Sequence, residues 1–241
     1  MPDTANSSAG AGADSLSVFF PCYNEQDNIR RVYESAVKVL GTLDVDYELI
    51  LVDDGSADQT PQIMDAIAAT DPRVTVVHHP ANLGYGAALR SGIRAATKAL
   101  VFYTDGDGQF DLNELPPLLP LMREYDVVSC FRLDRREGLS RRLNAWCWTR
   151  LVCFLFHLRF RDVNCAFKLF KRRVFDGLEL RSTGAVISAE LLARVTRGGY
   201  AVTQAGVHHF PRTGGRPTGA RPRVIFRAFR ELVQLRRQLN H

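Results

Sequence analysis

The feature that most constrains this chain is an alternation. Five short apolar runs, at residues 16–20, 47–52, 74–78, 99–104 and 126–130, are separated by stretches with apolar residues at helical spacing, at 25–40, 57–69, 85–96 and 112–124. Runs of that length bounded by turn residues read as buried strands, and the stretches between them as amphipathic helices. The stretch 112–124 is read as helical despite Pro116, Pro117 and Pro120. Strand and helix in alternation predict an α/β fold: a doubly wound, mainly parallel sheet flanked by helices. The 241 residues suffice for one such domain, and neither a repeat nor a linker divides them. Beyond residue 130 the pattern becomes irregular and basic.

In such a sheet, ligands bind beyond the carboxyl ends of the strands. Two acidic clusters fall at that edge. Asp53-Asp54-Gly55-Ser56 makes a sharp turn after the second strand, so Asp53 and Asp54 can accept bonds from a base N–H or ribose hydroxyls. Asp58 suits a helix cap instead. Thr104-Asp105-Gly106-Asp107-Gly108-Gln109 follows the fourth strand. Carboxylates two residues apart in a glycine-rich turn supply oxygen ligands for Mg²⁺ or Mn²⁺, with diphosphate oxygens completing the shell. An isolated pair of this kind is weak; one beside a second acidic cluster is much stronger. In Asn82-Leu83-Gly84-Tyr85-Gly86, the glycines serve either a close approach to phosphate at the next helix start or a plain helix-entry turn. In Pro21-Cys22-Tyr23-Asn24-Glu25, Pro21 ends the first strand, Asn24 or Glu25 can cap the helix, and Tyr23 can pack on a flat base.

Together these four segments resemble the family 2 glycosyltransferases, which carry them in the same order. The resemblance spans about residues 16–212. It is most similar to the branch of dolichyl- and polyprenyl-phosphate sugar synthases, on Asp105/Asp107/Gln109, on Asp162 to Lys168, on Glu190 in Ser-Ala-Glu-Leu-Leu, and on Arg212-Thr-Gly-Gly215. It implies a GT-A fold, a GDP- or UDP-linked hexose donor, a Mg²⁺ or Mn²⁺ cofactor and inverting transfer to a lipid phosphate at the cytoplasmic membrane face. By that resemblance Pro21, Tyr23, Glu25, Asp53, Asp54 and Asp105 hold the nucleotide. Asp105, Asp107 and Gln109 serve the metal and diphosphate, Arg212 closes over the diphosphate, and Arg132 sits near the acceptor phosphate. A soluble or glycan hydroxyl acceptor would instead need a carboxylate base, for which Glu190 and Asp162 are the candidates. The chain departs from the pattern at Ala166, where the branch has glycine. The C-terminal transmembrane helices of many relatives have no counterpart in the sequence.

Charge is segregated. Residues 1–126 hold 8 Lys/Arg against 19 Asp/Glu, a balance of −11, and residues 127–241 hold 23 against 7, a balance of +16. An acidic half suited to a metal thus joins a basic half suited to phosphates or an anionic membrane surface. Arg132, Arg135, Arg136, Arg141 and Arg142 precede an aromatic, apolar segment containing Trp146 and Trp148. Basic residues beside tryptophan suit an anionic interface, and equally a core helix with a solvated end. From Pro222, arginines at 223, 227, 230 and 237 oppose Ile225, Phe229, Leu232, Leu235 and Leu239. They predict a basic amphipathic helix over 222–241, docked on the domain or lying on lipid.

Several classes are excluded. No nucleic-acid-binding signature accompanies the arginines. Five cysteines without CxxC spacing argue against disulfides or zinc and for a reducing cytosol. No apolar run approaches the roughly 20 residues of a spanning helix. Residues 1–14 are small and polar, without a signal peptide's apolar stretch, and read as a disordered lead-in. A sugar-nucleotide pyrophosphorylase would carry a Gly-rich, basic loop after the first strand. A non-catalytic membrane adaptor would not need Asp105 and Asp107.

Overall fold

The computed structural model describes residues 15–134, 139–212 and 222–239. The lead-in 1–14, Arg135, Arg136 and the extension 213–221 lie outside the described residues. In chain order the elements are β1 (Ser15–Cys22), α1 (Ile29–Leu40), β2 (Asp46–Asp53), α2 (Thr60–Ala68), β3 (Val74–His78), α3 (Tyr85–Ala95) and β4 (Leu100–Thr104). There follow β5 (Val127–Ser129), β6 (Phe131–Arg132), α4 (Leu139–Phe156), β7 (Phe167–Lys171), α5 (Ile187–Arg197), β8 (Val202–Thr203), β9 (Gly206–Val207) and α6 (Pro222–Leu239).

One sheet carries the order β3-β2-β1-β4-β7-β5-β8. The first four strands are parallel, and β7 runs antiparallel to both its neighbours. Alternate residues of a strand face opposite sides, which builds two cores. Val18, Phe20, Leu49 and Leu51 pack against Val32 of α1 and Met64 of α2. Phe19, Ile50, Val52 and Tyr103 pack against Leu89 of α3 and Leu191 of α5. Both faces are covered, so the central strands read as unbroken apolar runs. Gly92 is required by this packing, because a Cβ there would stand 2.2 Å from the Phe19 ring.

Three expectations change. The stretch 112–124 forms two 3₁₀ segments, Leu112–Glu114 and Pro116–Arg123, because its prolines lack the N–H groups an α-helix needs. Helices α1 and α2 begin several residues later than the apolar periodicity suggests. Residues 24–26 and 57–59 are instead engaged with each other, as described below.

The C-terminal third is not irregular. It supplies α4, α5 and β7, and β7 fills the sheet between β4 and β5. Lys168 and Lys171 disguise that strand in the sequence. A third core joins Val152 and Phe156 of α4, Leu192 of α5 and Leu232 and Leu235 of α6. The inner residues of α6 are therefore docked on the domain. Among the described residues no helix is long and apolar enough to cross a membrane.

Candidate functional site

At the carboxyl edge of β1 and β2 two loops are knitted together. The Asn24 N–H donates to Ser56 Oγ (2.9 Å), and Asn24 Oδ1 accepts from Ala57 N (2.8 Å). Glu25 N donates to Thr60 Oγ1 (2.8 Å). Asn24 can serve both because it holds a left-handed φ of 56°, a conformation asparagine tolerates well. Asp58 accepts from Thr60 N (2.9 Å) in the turn that leads into α2, but the N-cap itself is Gln59, so Asp58 is not the cap its position suggested.

Asp53 and Asp54 are both buried, and their surroundings differ. Asp53 Oδ1 accepts from Ser56 N (2.9 Å), and His78 Nδ1 lies 3.2 Å from its other oxygen. Asp54 accepts from Leu83 N (2.9 Å) and Gly84 N (3.0 Å), with His79 Nδ1 at 2.7 Å. Asp54 thus clasps the loop before α3. The Gly84/Gly86 turn is a helix entry rather than a phosphate cradle. The Gly86 N–H donates to Thr183 O (2.8 Å), and a Cβ at Gly86 would meet Ser182 O at 2.4 Å.

Asp105 and Asp107 stand beside this framework. Asp105 Oδ1 accepts from the Tyr85 hydroxyl (2.9 Å), and Asp107 Oδ1 from Gln109 N (3.1 Å). Gly106 between them passes over Cys22, whose Sγ would be 2.3 Å from an added Cβ. Burial raises the proton affinity of both carboxyls, and the charge of Asp107 raises that of Asp105 further. Two half-buried carboxylates that favour a proton suit a hard divalent cation, which would supply compensating positive charge. Among the described residues no group of three His, Cys, Asp or Glu side chains is placed to hold a metal ion. A donor's own oxygens would have to complete such a shell.

The segment 208–212 lies across this edge. Phe210 N donates to Gln109 O (2.8 Å), and Gln109 Nε2 donates to Phe210 O (2.9 Å). Arg212 pairs with Glu25 and lies 3.8 Å from Asp107 Oδ2. Burial raises the Glu25 carboxyl, and its bonds to Asn28 and Arg212 oppose that shift. Tyr23 is half-buried on the same edge, after Pro21.

Beyond Asp105 the character changes. Arg132 is close enough that its charge counters the raised proton affinity of Asp105. It pairs with buried Asp162 through Nε (2.7 Å) and a second nitrogen (3.2 Å), a bidentate fork. From there opens a groove of about 450 Å³, lined by Phe131, Arg132, Arg142, Leu143, Trp146 and Arg161 among others. Arg161 stacks on the Phe131 ring at 4.6 Å.

Glu190 stands apart. It has no exposed surface, and its carboxylate accepts from Arg181 N (3.1 Å), Ser182 N (2.7 Å) and Arg194 Nε (2.9 Å). This gives Glu190 a structural task, fixing the 181–183 segment against α3, where the sequence suggested a base. Asp162, the other suggested base, is engaged by Arg132. The sequence reading missed Tyr85, His78, His79 and Arg161. Tyr85 follows a glycine turn like many helix starts, and the others are single residues whose neighbours are distant in sequence.

The fold is that of solved GT-A glycosyltransferases. Glucosyl-3-phosphoglycerate synthase from Mycobacterium tuberculosis, in complex with Mg²⁺ and uridine diphosphate, superposes with a TM-score of 0.69 at 21% identity, over 92% of this chain and 79% of that one. Mannosyl-3-phosphoglycerate synthase from Rubrobacter xylanophilus gives 0.67 at 18% identity, over 95% and 74%. The family model for glycosyl transferase family 2 matches residues 17–178, and the chain belongs to that family. Its curated relatives include glycosyltransferase AglD of Haloferax volcanii, 31% identical over 85% of this chain and 34% of the relative. Another is the undecaprenyl-phosphate 4-deoxy-4-formamido-L-arabinose transferase of Yersinia pestis, 29% identical over 87% and 64%. The chain thus spans between a third and two thirds of these relatives' length.

Proposed function

We propose that this chain transfers a hexose from a UDP- or GDP-linked donor to a polyprenyl-phosphate-type lipid, inverting the anomeric carbon, as a peripheral protein on the cytoplasmic face of a membrane. One juxtaposition carries the reading: the half-buried Asp105/Asp107 pair and the arginine-lined groove meet at Arg132. A donor diphosphate on the acidic side and an acceptor phosphate on the basic side would face each other there. The name of the Yersinia relative, with its undecaprenyl-phosphate acceptor, supports the same assignment.

Pro21, Tyr23, Glu25, Asp53 and the Asp54-clasped loop would hold the nucleoside. Asp105 and Asp107, with Gln109 beside them, would hold Mg²⁺ or Mn²⁺, which when bound neutralises charge on the leaving diphosphate. Arg212 would exchange its carboxylate partners for diphosphate oxygens as donor enters. A phosphate monoester is anionic near neutral pH, so its oxygen attacks the anomeric carbon without a strong base. The bond from that carbon to the diphosphate breaks, and its electron pair leaves with the nucleotide. Arg132 and Arg161 would position the acceptor, so orientation and charge supply most of the rate.

The membrane face of this reading lies on α4. Leu143, Trp146 and Phe154 are exposed there at helical spacing, and the Arg150 guanidinium sits 5.5 Å from the Trp146 ring. Exposed tryptophan beside arginine suits headgroup depth. Trp148 is turned toward the third core.

Incubating the full chain with UDP- and GDP-hexoses, Mn²⁺ and undecaprenyl phosphate in anionic vesicles tests the proposal. Lipid-linked sugar is the expected product, with vesicle binding weakened in Trp146→Ala/Phe154→Ala. Transfer to phosphoglyceric acid with none to lipid would overturn it.

A further inference from the structure

Lys168 sits in the middle of the sheet, on β7 directly between Tyr103 of β4 and Ser129 of β5. It has no exposed surface. Among the described residues, the bonds from its ammonium go to no carboxylate. The group donates instead to two backbone carbonyls, of Val163 (3.3 Å) and of Cys165. Burial pushes the amine's pKa down, the nearby Asp162 favours its charged form, and Arg132 opposes it. A buried ammonium carries a desolvation cost that methionine, of similar length, would avoid. Packing alone therefore does not explain a lysine at this place.

What the ammonium grips does. Its two carbonyls belong to the turn that begins at Asp162, which is closed locally by Asn164 N donating to Asp162 Oδ1 (3.2 Å). The same Asp162 carboxylate holds Arg132 through two bonds. Asp162 thus lies between two cations, one inside the sheet and one at the groove. A side chain held by a supporting layer of this kind is fixed in place more precisely than one on a free loop.

We infer that Lys168 is a positioning residue for the acceptor: by pinning the 163–165 carbonyls it fixes Asp162, which in turn orients Arg132 at the groove. The inference rests on the acceptor role proposed for Arg132. It requires that loss of the ammonium act on the acceptor and spare the donor, because the donor loops are tied together through residues 21–60 and 79–84.

The test compares Lys168→Met, Lys168→Arg, Arg132→Ala and the Lys168→Met/Arg132→Ala double variant in the full chain. KM for undecaprenyl phosphate and kcat are measured, with calorimetric titration of nucleoside diphosphate and Mn²⁺. Lys168→Met is expected to raise the acceptor KM about tenfold, leaving kcat and nucleotide affinity within about twofold. Lys168→Arg should recover part of that loss, and Lys168→Met should add little on top of Arg132→Ala. An unchanged KM in Lys168→Met, with a raised KM in Arg132→Ala, would overturn the inference alone. Equal losses in KM, kcat and nucleotide affinity would also overturn it, making Lys168 a core residue only. No effect of Arg132→Ala on KM would instead refute the acceptor reading beneath it. Should Lys168→Met fail to fold, Lys168→Gln is read by the same criteria.

Discussion

On the acidic side of the site, Asp53 and Asp58 accept backbone amides from the loop they stand on, and Asp54 accepts two from the loop before α3. On the basic side, Arg142 and Trp146 are exposed at the mouth of an open groove, and Arg132 is anchored by Asp162. The first region is preorganised largely by bonds between segments 25 to 35 residues apart. The second presents charge and apolar surface and leaves its shape open. A nucleotide is rigid and rewards a preformed frame, whereas a long flexible acceptor needs only its reacting end fixed.

The sharpest way to break this comparison is at Asp107. Asp107→Ala should lower kcat/KM by about 10²- to 10³-fold and abolish Mn²⁺-dependent nucleotide binding, with the circular dichroism spectrum unchanged. Unaltered affinity by calorimetry would remove the metal from the acidic side. Arg132→Ala should cost about 10- to 100-fold in kcat/KM for the lipid acceptor and leave nucleotide affinity intact. If both affinities fell together, the two regions would be one site.

The pH dependence sharpens the contrast further. Asp105 and Asp107 have raised proton affinity because they are partly desolvated, and the charge of Asp107 adds to the shift of Asp105. A bound cation must displace that proton, so Mn²⁺ affinity should weaken as pH falls, by up to about tenfold per unit for one proton. The sign for stability is opposite. A carboxyl whose folded pKa is raised binds protons more readily in the folded state, so the metal-free protein loses this contribution as pH rises. The rise in Tm on adding Mn²⁺ should therefore be larger at pH 8 than at pH 6. A pH-independent increment would show that the pair is ionised throughout.

The smallest effect is expected at the clasp. Asp54→Asn exchanges a charged acceptor of two amides for a neutral one and should cost about 2 kcal/mol of stability, read by urea denaturation. Nucleotide affinity should fall only through the displaced 82–84 loop. A loss of nucleotide affinity beyond about tenfold would mean that Asp54 touches the nucleoside itself.

The sequence carried the N-terminal half of this picture. Runs such as Leu49 to Val52 are buried on both faces, so their composition alone marks them as central strands. Asp53 and Asp105 were legible because each follows directly on such a run, where the sheet edge must lie. The strand β7 was not legible. Its Phe-Lys-Leu-Phe-Lys pattern contains a buried lysine, which only the carbonyls of Val163 and Cys165 make tolerable. The task of Glu190 was hidden because two of its partners, the amides of Arg181 and Ser182, lie in a segment that no local pattern connects to α5.

By itself the sequence determined the parallel half-sheet and the place of the acidic edge, because hydrophobic periodicity and turn chemistry act over a few neighbouring residues. Tertiary structure alone decided which carboxylates remain at the edge and which are consumed in holding it. Asp54 is consumed by the loop before α3, Glu190 by the 181–183 segment and Asp162 by Arg132. It also decided that Leu232 and Leu235 of α6 face the domain core while α4 keeps Trp146 and Phe154 outside. Apart from that of Glu190, whose partners are 4 to 9 residues away, those outcomes depend on pairings between segments far apart in the chain, where a charge finds its partner only once the sheet has brought the two together.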